Sequence, residues 1–227
     1  MTGPEALESG VSQLGVSFVS GGKTIAVDCF IPETNAAGRP AILALHGSGG
    51  GHDTLAKTAY PLAQLGFNVY VPHYFDRTGT VAAQMPQMYV NFPLWIKTLW
   101  DAVSLVASQP TVDPQRIGAL GFSLGAYLAL SLSGIDSRIQ AVAEYFGGIP
   151  REVRPFLRRL APTLILHGDA DTVVPVAEAH RLQKLFEERR VPYEIEIYTN
   201  ETHHFTQFTR ALADARMQAF FQKYLQP

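Results

Sequence analysis

Apolar residues in this chain come in short unbroken runs separated by longer amphipathic stretches, and that alternation predicts an architecture. Residues 41–45, 67–71, 117–122, 139–146, 163–167 and 193–198 are runs of strand length, mostly apolar throughout. Such runs are expected where both faces of a sheet are covered. Between them, residues 54–65, 92–108, 124–133, 176–189 and 208–224 carry apolar residues at helical spacing. In the second of these helices Trp95, Leu99, Ala102, Val103 and Val106 form one stripe, which is expected to face the core. Ahead of the alternation, residues 16–19 and 24–31 read as a hairpin turning at Gly21-Gly22. The expectation is an α/β fold with a mostly parallel sheet of about eight strands, an N-terminal antiparallel hairpin and helices on both faces, in a single domain over residues 1–227.

Polar residues that interrupt these runs carry the chemistry. Gly121-Phe122-Ser123-Leu124-Gly125 lies between a predicted strand and a predicted helix, so a serine occupies a sharp bend. Glycines two residues to either side let strand and helix approach closely while the hydroxyl projects from the sheet. Further on, the run over 161–167 leads into Gly168-Asp169-Ala170-Asp171, and the run over 193–198 into Asn200-Glu201-Thr202-His203-His204-Phe205. Serine, aspartate and histidine thus follow in the order of the α/β-hydrolase arrangement, each at the C-terminal end of a predicted strand, where the loops of a parallel sheet converge. An unassisted hydroxyl is a poor nucleophile at neutral pH; a histidine must take its proton and a carboxylate must orient the imidazolium that results. A tetrahedral intermediate also needs donors for its oxyanion. His46-Gly47-Ser48-Gly49-Gly50-Gly51 ends an earlier strand, and its glycines let amides turn inward. The expected donors are the amide of Leu124, next after the nucleophile, and that of Ser48. The loop has neither a Gly-Lys-Ser/Thr ending nor G-x-G-x-x-G spacing, so phosphate binding is not indicated.

From about Gly15 to Leu225 the chain resembles the dienelactone hydrolase family of α/β-hydrolases. The shared pieces are His46-Gly47, Gly121-Phe122-Ser123-Leu124-Gly125, the block His167-Gly168-Asp169-Ala170-Asp171 with Val174-Pro175, and Tyr198 five residues before His203. In the family the catalytic histidine stands five residues after an aromatic and two before a phenylalanine, which implies His203 and not His204. The acid of the block is its second aspartate, which implies Asp171. True dienelactone hydrolases carry a cysteine where this chain has Ser123, and an acidic residue that helps control the thiol where it has Gly47. The resemblance therefore implies a serine esterase on the same scaffold. It also places Arg77 in a loop that binds substrate carboxylates, while a second anion-binding arginine is replaced by Gln207.

Composition narrows the alternatives. With 227 residues, 47% apolar and 17% charged, the chain can bury one large core, and nothing in it reads as a linker. A formal net charge of −2 leaves no footprint for nucleic acid or an anionic membrane. Residues 1–15 contain no Lys, Arg or apolar run, so no secretory signal is expected, and no run approaches the roughly 20 residues of a membrane span. Cys29 is the only cysteine, so no internal disulfide can form, which fits a reducing compartment, and a cytoplasmic protein is expected. It shares an alternating set with Ile25, Val27 and Ile31, a buried strand face. The sequence shows no His-Glu-x-x-His or His/Cys ligand pattern, so neither a metal nor a cofactor is expected, and His46 and His167 read as structural strand ends. Arg151, Arg154 and Arg158 are spaced as one helical face, solvated, with Arg159 beside it. Tyr74, Phe75, Met85, Met88, Tyr89 and Phe92 fall in a segment read as irregular, where Tyr89 is a candidate for lining a substrate pocket.

The combined expectation is a monomeric or homodimeric enzyme acting on a small-molecule ester. Ser123 attacks, His203 moves the proton and Asp171 orients His203, while the Leu124 and Ser48 amides hold the oxyanion. Acyl transfer or peptide cleavage could use the same triad, and a catalytically silent binding protein could use the same fold.

Overall fold

The computed structural model describes residues 10–34 and 37–226. Strands β1 (Val11–Ser20) and β2 (Lys23–Pro32) pair antiparallel around Gly21-Gly22, both glycines at positive φ. The other strands are β3 (Arg39–Leu45), β4 (Asn68–Pro72), β5 (Val112–Phe122), β6 (Ile139–Tyr145), β7 (Thr163–Gly168) and β8 (Tyr193–Tyr198). They form an 8-stranded sheet in the order β1-β2-β4-β3-β5-β6-β7-β8. β2 runs antiparallel to β4, and every pairing from β4 through β8 is parallel. The crossovers are α1 (Ala56–Gln64), α2 (Met85–Ala107), α3 (Leu124–Ile135) and α4 (Ala177–Arg189), and α5 (Gln207–Leu225) closes the described chain.

Helices on both faces explain the unbroken apolar strands. Leu43, Leu45 and Ala119 pack with Trp95, Leu128 and Leu182 of α2, α3 and α4 on one face. Ile42, Ala44 and Leu120, alternating with them, pack with Leu62, Met217 and Phe221 of α1 and α5 on the other. Cys29 lies within the first cluster, and burial pushes its thiol up to about 12, so it is an inert core residue.

Three local expectations are corrected. The predicted helix over 92–108 begins earlier, at Met85, with a proline in its first turn and reciprocal capping between Gln84 and Gln87. Pro93, within α2, forfeits one backbone bond and is tolerated. Met85, Met88, Tyr89 and Phe92 are therefore helical, while Tyr74 and Phe75 lie buried in the 3-10 turn Tyr74–Arg77. The segment carrying Arg151, Arg154 and Arg158 is not a helix but a series of turns with a short 3-10 piece, Arg154–Phe156. Pro155 removes a backbone donor there, and Arg159 instead donates to the carbonyls of Ser137 and Ile139. β5 starts at Val112, ahead of the predicted 117, through an irregularity in its pairing with β3 between Arg39 and Ala41. Among the described residues no helix is long and apolar enough to cross a membrane.

The sheet brings α3 very close to β3. A Cβ on Gly125 would lie 2.3 Å from the carbonyl oxygen of Leu45 and 2.5 Å from that of His46. Backbone cannot yield as a flexible side chain can. Gly125→Ala is therefore expected to cost about 1–3 kcal/mol by overpacking, even against the helix-propensity gain of up to about 1 kcal/mol. Urea unfolding of the variant measures this, and an unchanged midpoint would show that α3 can lift away freely.

Candidate active site

Ser123 sits between the last residue of β5 and the first of α3, with φ 53° and ψ −119°. That left-handed φ costs a non-glycine residue of order 1–3 kcal/mol, and the packing around it prevents relaxation. A Cβ on Gly121 would lie 2.3 Å from the Gly125 carbonyl oxygen, so the two glycines of the bend touch each other. The Ser123 amide donates to the Tyr145 carbonyl at 2.9 Å, and its own carbonyl accepts from Ala126 and Tyr127. The hydroxyl is left as the outward-facing group of the bend.

Asp171 and His203 meet that hydroxyl. His203 Nδ1 lies 2.8 Å from Asp171 Oδ2, and His203 Nε2 lies 3.0 Å from Ser123 Oγ. With the proton on Nδ1 donated to the carboxylate, Nε2 is free to accept from the serine. The other carboxylate oxygen, Oδ1, accepts from the amides of Val173 and Val174 at 2.8 and 2.9 Å. His167 supports that turn: its Nε2–H donates to the Val174 carbonyl at 2.8 Å, and burial lowers its pKa, so it stays neutral.

The neighbouring candidates have different jobs. Asp169 accepts the Asn200 amide at 2.6 Å, while the Ala170 amide donates to the Glu201 carbonyl, so the acid loop and the histidine loop are laced together. A Cβ on Gly168 would stand 2.1 Å from that Glu201 carbonyl oxygen, so only glycine permits the lacing. The Glu201 carboxylate in turn accepts from Thr206 and Thr209 at the start of α5, and these hydroxyls, with the Thr206 amide, hold it below the usual carboxylate range. His204 is exposed: its ring meets the His203 ring edge-on, and its backbone bonds to the Thr202 hydroxyl. Phe205 packs on Tyr198 and Phe146, and Phe146 lies against the His203 ring.

The loop after β3 comes up beside the bend. A Cβ on Gly47 would be 3.4 Å from the Ser123 Cβ, and the Ser48 carbonyl is fixed by the Ala83 amide at 2.7 Å. Neither the Ser48 amide nor that of Leu124, at the positive end of α3, donates to a protein acceptor among the described residues. His46 stacks on Tyr74 at 4.2 Å and donates to the Gly47 carbonyl; burial lowers its pKa to about 4, so it is a neutral prop.

Neither expected substrate-binding side chain is bonded to Ser123, Asp171 or His203 among the described residues. Arg77 lies over the β1–β2 turn, where its guanidinium donates to the Gly21 carbonyl and fills the space that a Gly21 side chain would need. That turn belongs to strands separated from β5 by β4 and β3, roughly 14 Å at 4.8 Å per strand. Asp76 does not pair with it but accepts the Ala26 amide. Tyr89 is 64% exposed on α2. Gln207 is exposed in the first turn of α5.

The profile of the dienelactone hydrolase family matches residues 27–225. The chain belongs to that family. Its sheet order and helices are those of the α/β-hydrolase fold. Among curated relatives, a carboxymethylenebutenolidase homolog of Mus musculus is 28% identical over 153 residues, 63% of this chain and 61% of the relative. The human protein of the same name is 26% identical over 148 residues, covering 62% and 59%. The chain thus spans about three fifths of the length of the curated relatives it matches. Among solved structures, a dienelactone hydrolase-like promiscuous phosphotriesterase from metagenomic libraries has a TM-score of 0.84 at 17% identity, covering 95% of this chain and 99% of the other. The metagenomic carboxylesterase EstE1 has a TM-score of 0.75 at 20% identity, covering 98% and 92%. These two establish the fold.

Glu144 is a group that the sequence reading passed over. It is the only acidic residue in the apolar run 139–146, which is the signal that could have found it. It is fully buried on β6 beside Gly121 of the bend; one carboxyl oxygen accepts the Gly147 amide at 2.7 Å and the other has no partner. Burial pushes its pKa up to about 8, from an ordinary 4.5. Between those values the folded chain holds a proton that the unfolded chain releases. Stability from this group is present below about 4.5 and is lost as pH rises toward about 8, at up to roughly 1.4 kcal/mol per pH unit. Glu144→Gln, neutral at every pH, is expected to be more stable than the parent at pH 8 and to flatten that part of the pH–stability curve. Parallel unfolding curves at pH 5 and pH 8 test this; an equal loss for both proteins would mean that Glu144 does not titrate in that window.

Proposed function

We propose that this chain is a serine-dependent carboxylic ester hydrolase acting through an acyl-enzyme on a small-molecule ester. The observation that carries the reading is the continuous Asp171–His203–Ser123 hydrogen-bond chain, with links of 2.8 and 3.0 Å, at the strained bend. His203 Nε2 takes the hydroxyl proton as Ser123 Oγ attacks the ester carbonyl carbon, and Asp171 stabilises the imidazolium through Nδ1–H. The oxyanion is held by the amides of Leu124 and Ser48, whose position beside Ser123 and lack of protein acceptors suit them to it. His203 then gives the proton to the departing alkoxide. Water enters, loses a proton to the same nitrogen, and the acyl-enzyme collapses to carboxylate and free serine. The family match and the carboxylesterase of similar fold support the reaction class.

A fluorophosphonate is expected to label the chain once, at Ser123, and Ser123→Ala to abolish labelling and to lower ester turnover on the order of 10⁴-fold. His203→Ala and Asp171→Asn should lose turnover by orders of magnitude. His204→Ala should retain most of it, and Asp169→Asn should lower Tm more than rate. Peptide mapping of the label and steady-state kinetics on aryl esters provide the measurement, and labelling at any other serine would sink the assignment.

Arg77 provides a second check. Because its guanidinium is committed to the Gly21 turn, Arg77→Ala is expected to leave the KM of a neutral ester and of a carboxylate-bearing ester of equal size changed by the same small factor, while Tm falls. A rise in KM confined to the anionic ester would restore Arg77 to the substrate site.

A further inference from the structure

Three segments that are distant in sequence place metal-ligating side chains together beside the loop after β3. Asp28 comes from β2, His73 directly follows β4, and His52 opens the 3-10 turn His52–Leu55. One ligand atom from each lies within 4.8 Å of the other two. His73 Nε2–H donates to Asp28 Oδ2 at 2.8 Å, and the His52 ring stacks on His73 with centroids 3.6 Å apart. All three are partly exposed, so an ion and its water can reach them.

We propose that Asp28, His52 and His73 form a site for a borderline divalent transition-metal ion of the Zn²⁺ type, which ties the loop after β3 to the sheet. Two imidazoles and one carboxylate suit Zn²⁺ and its neighbours; Mg²⁺ and Ca²⁺ prefer oxygen donors throughout. Ligand atoms about 2.0–2.2 Å from a tetrahedral ion stand roughly 3.3 Å apart, so closure asks for movements of about an ångström. His52 makes most of that movement. Stacked rings point their in-plane lone pairs side by side, so His52 must turn out of the stack to converge with His73, and its side chain, 36% exposed, has room to do so. The His73 hydrogen passes from Nε2 to Nδ1, a change of tautomer without net loss of a proton, and Nε2 and Asp28 Oδ2 then face the ion. Three protein ligands leave a position for water.

The consequence lies in the loop. Gly50 and Gly51 both have left-handed φ, 73° and 78°, and only the residues from Ser48 to Gly51 separate Gly47, packed against Ser123, from His52. A bound ion fixes the far end of that segment to β2 and to the end of β4.

Zn²⁺ titrated into the full-length, chelator-stripped protein, followed by calorimetry, tests this together with the visible spectrum of the Co²⁺ form. Saturation at a single equivalent and a four-coordinate Co²⁺ spectrum are expected. His52→Ala should weaken binding by at least about 100-fold, the upper end of what loss of even an outer partner costs, whereas His180→Ala and His204→Ala should bind as the parent does. Amides over 48–55 should exchange more slowly with Zn²⁺ present, by up to about 100-fold when free ion reaches about 100 times Kd. If His52→Ala lowers the metal-free Tm, His52→Gln, which keeps the bulk, serves in its place. No saturable binding, or binding undiminished by the His52 variants, would overturn the proposal. So would loss of binding only in His203→Ala, since that puts the ion at the Ser123 centre.

Discussion

Everything at the edge of the sheet that carries Ser123 depends on how closely β3, β5 and α3 approach one another. Carbonyl oxygens of β3 and of α3 occupy the positions that Cβ atoms on Gly125 and Gly121 would take, so the helix begins with almost no clearance from the sheet. That closeness obliges the chain to turn through Ser123 at φ 53°, and it brings Gly47 against the Ser123 side chain. The position of Ser123, the N-terminus of α3 and the placement of the loop after β3 are therefore consequences of one packing contact.

Asp171 and His203 are delivered by loops that brace each other. Gly168 yields to the Glu201 carbonyl, Asp169 holds the Asn200 amide, and Glu201 anchors to the threonines that open α5. A movement of the histidine loop would have to break contacts with the acid loop, so the His203–Asp171 distance is protected by backbone and not by side-chain packing alone. His167 extends the brace by holding Val174, whose amide serves Asp171.

Titratable groups around this centre are sorted by burial. His46 and His167 are kept neutral by desolvation, and Glu144 retains its proton below about 8. Glu201 remains ionised because hydroxyl and amide donors replace water around it. Among these supporting groups no positive charge competes with His203 for Asp171. The polar scaffold thus supplies fixed dipoles near Ser123 and His203 without adding mobile charge.

The sequence by itself determined the architecture and the order of the site, because both follow from local rules. Apolar runs without a polar face meant a doubly covered sheet, and each polar interruption fell at the end of a strand. Glycine spacing around Ser123 marked the bend, and the resemblance in the spacing of Tyr198, His203 and Phe205 selected one histidine of two. Tertiary structure alone decided what depends on direction and on partners. Arg77 was legible as a loop arginine, yet its guanidinium is captured by a hairpin turn on the next element of the edge. Tyr89 lay in a segment read as irregular, and α2 carried it outward on an exposed face. Asp169 and Asp171, two residues apart, were distinguished in sequence by the resemblance alone; only the fold gives each its partners, the Asn200 amide for Asp169 and the His203 imidazole for Asp171. Asp28, His52 and His73 share no sequence spacing at all; their meeting needed β2 to pair with β4 and the loop after β3 to fold back over them, contacts that exist only once the sheet is assembled.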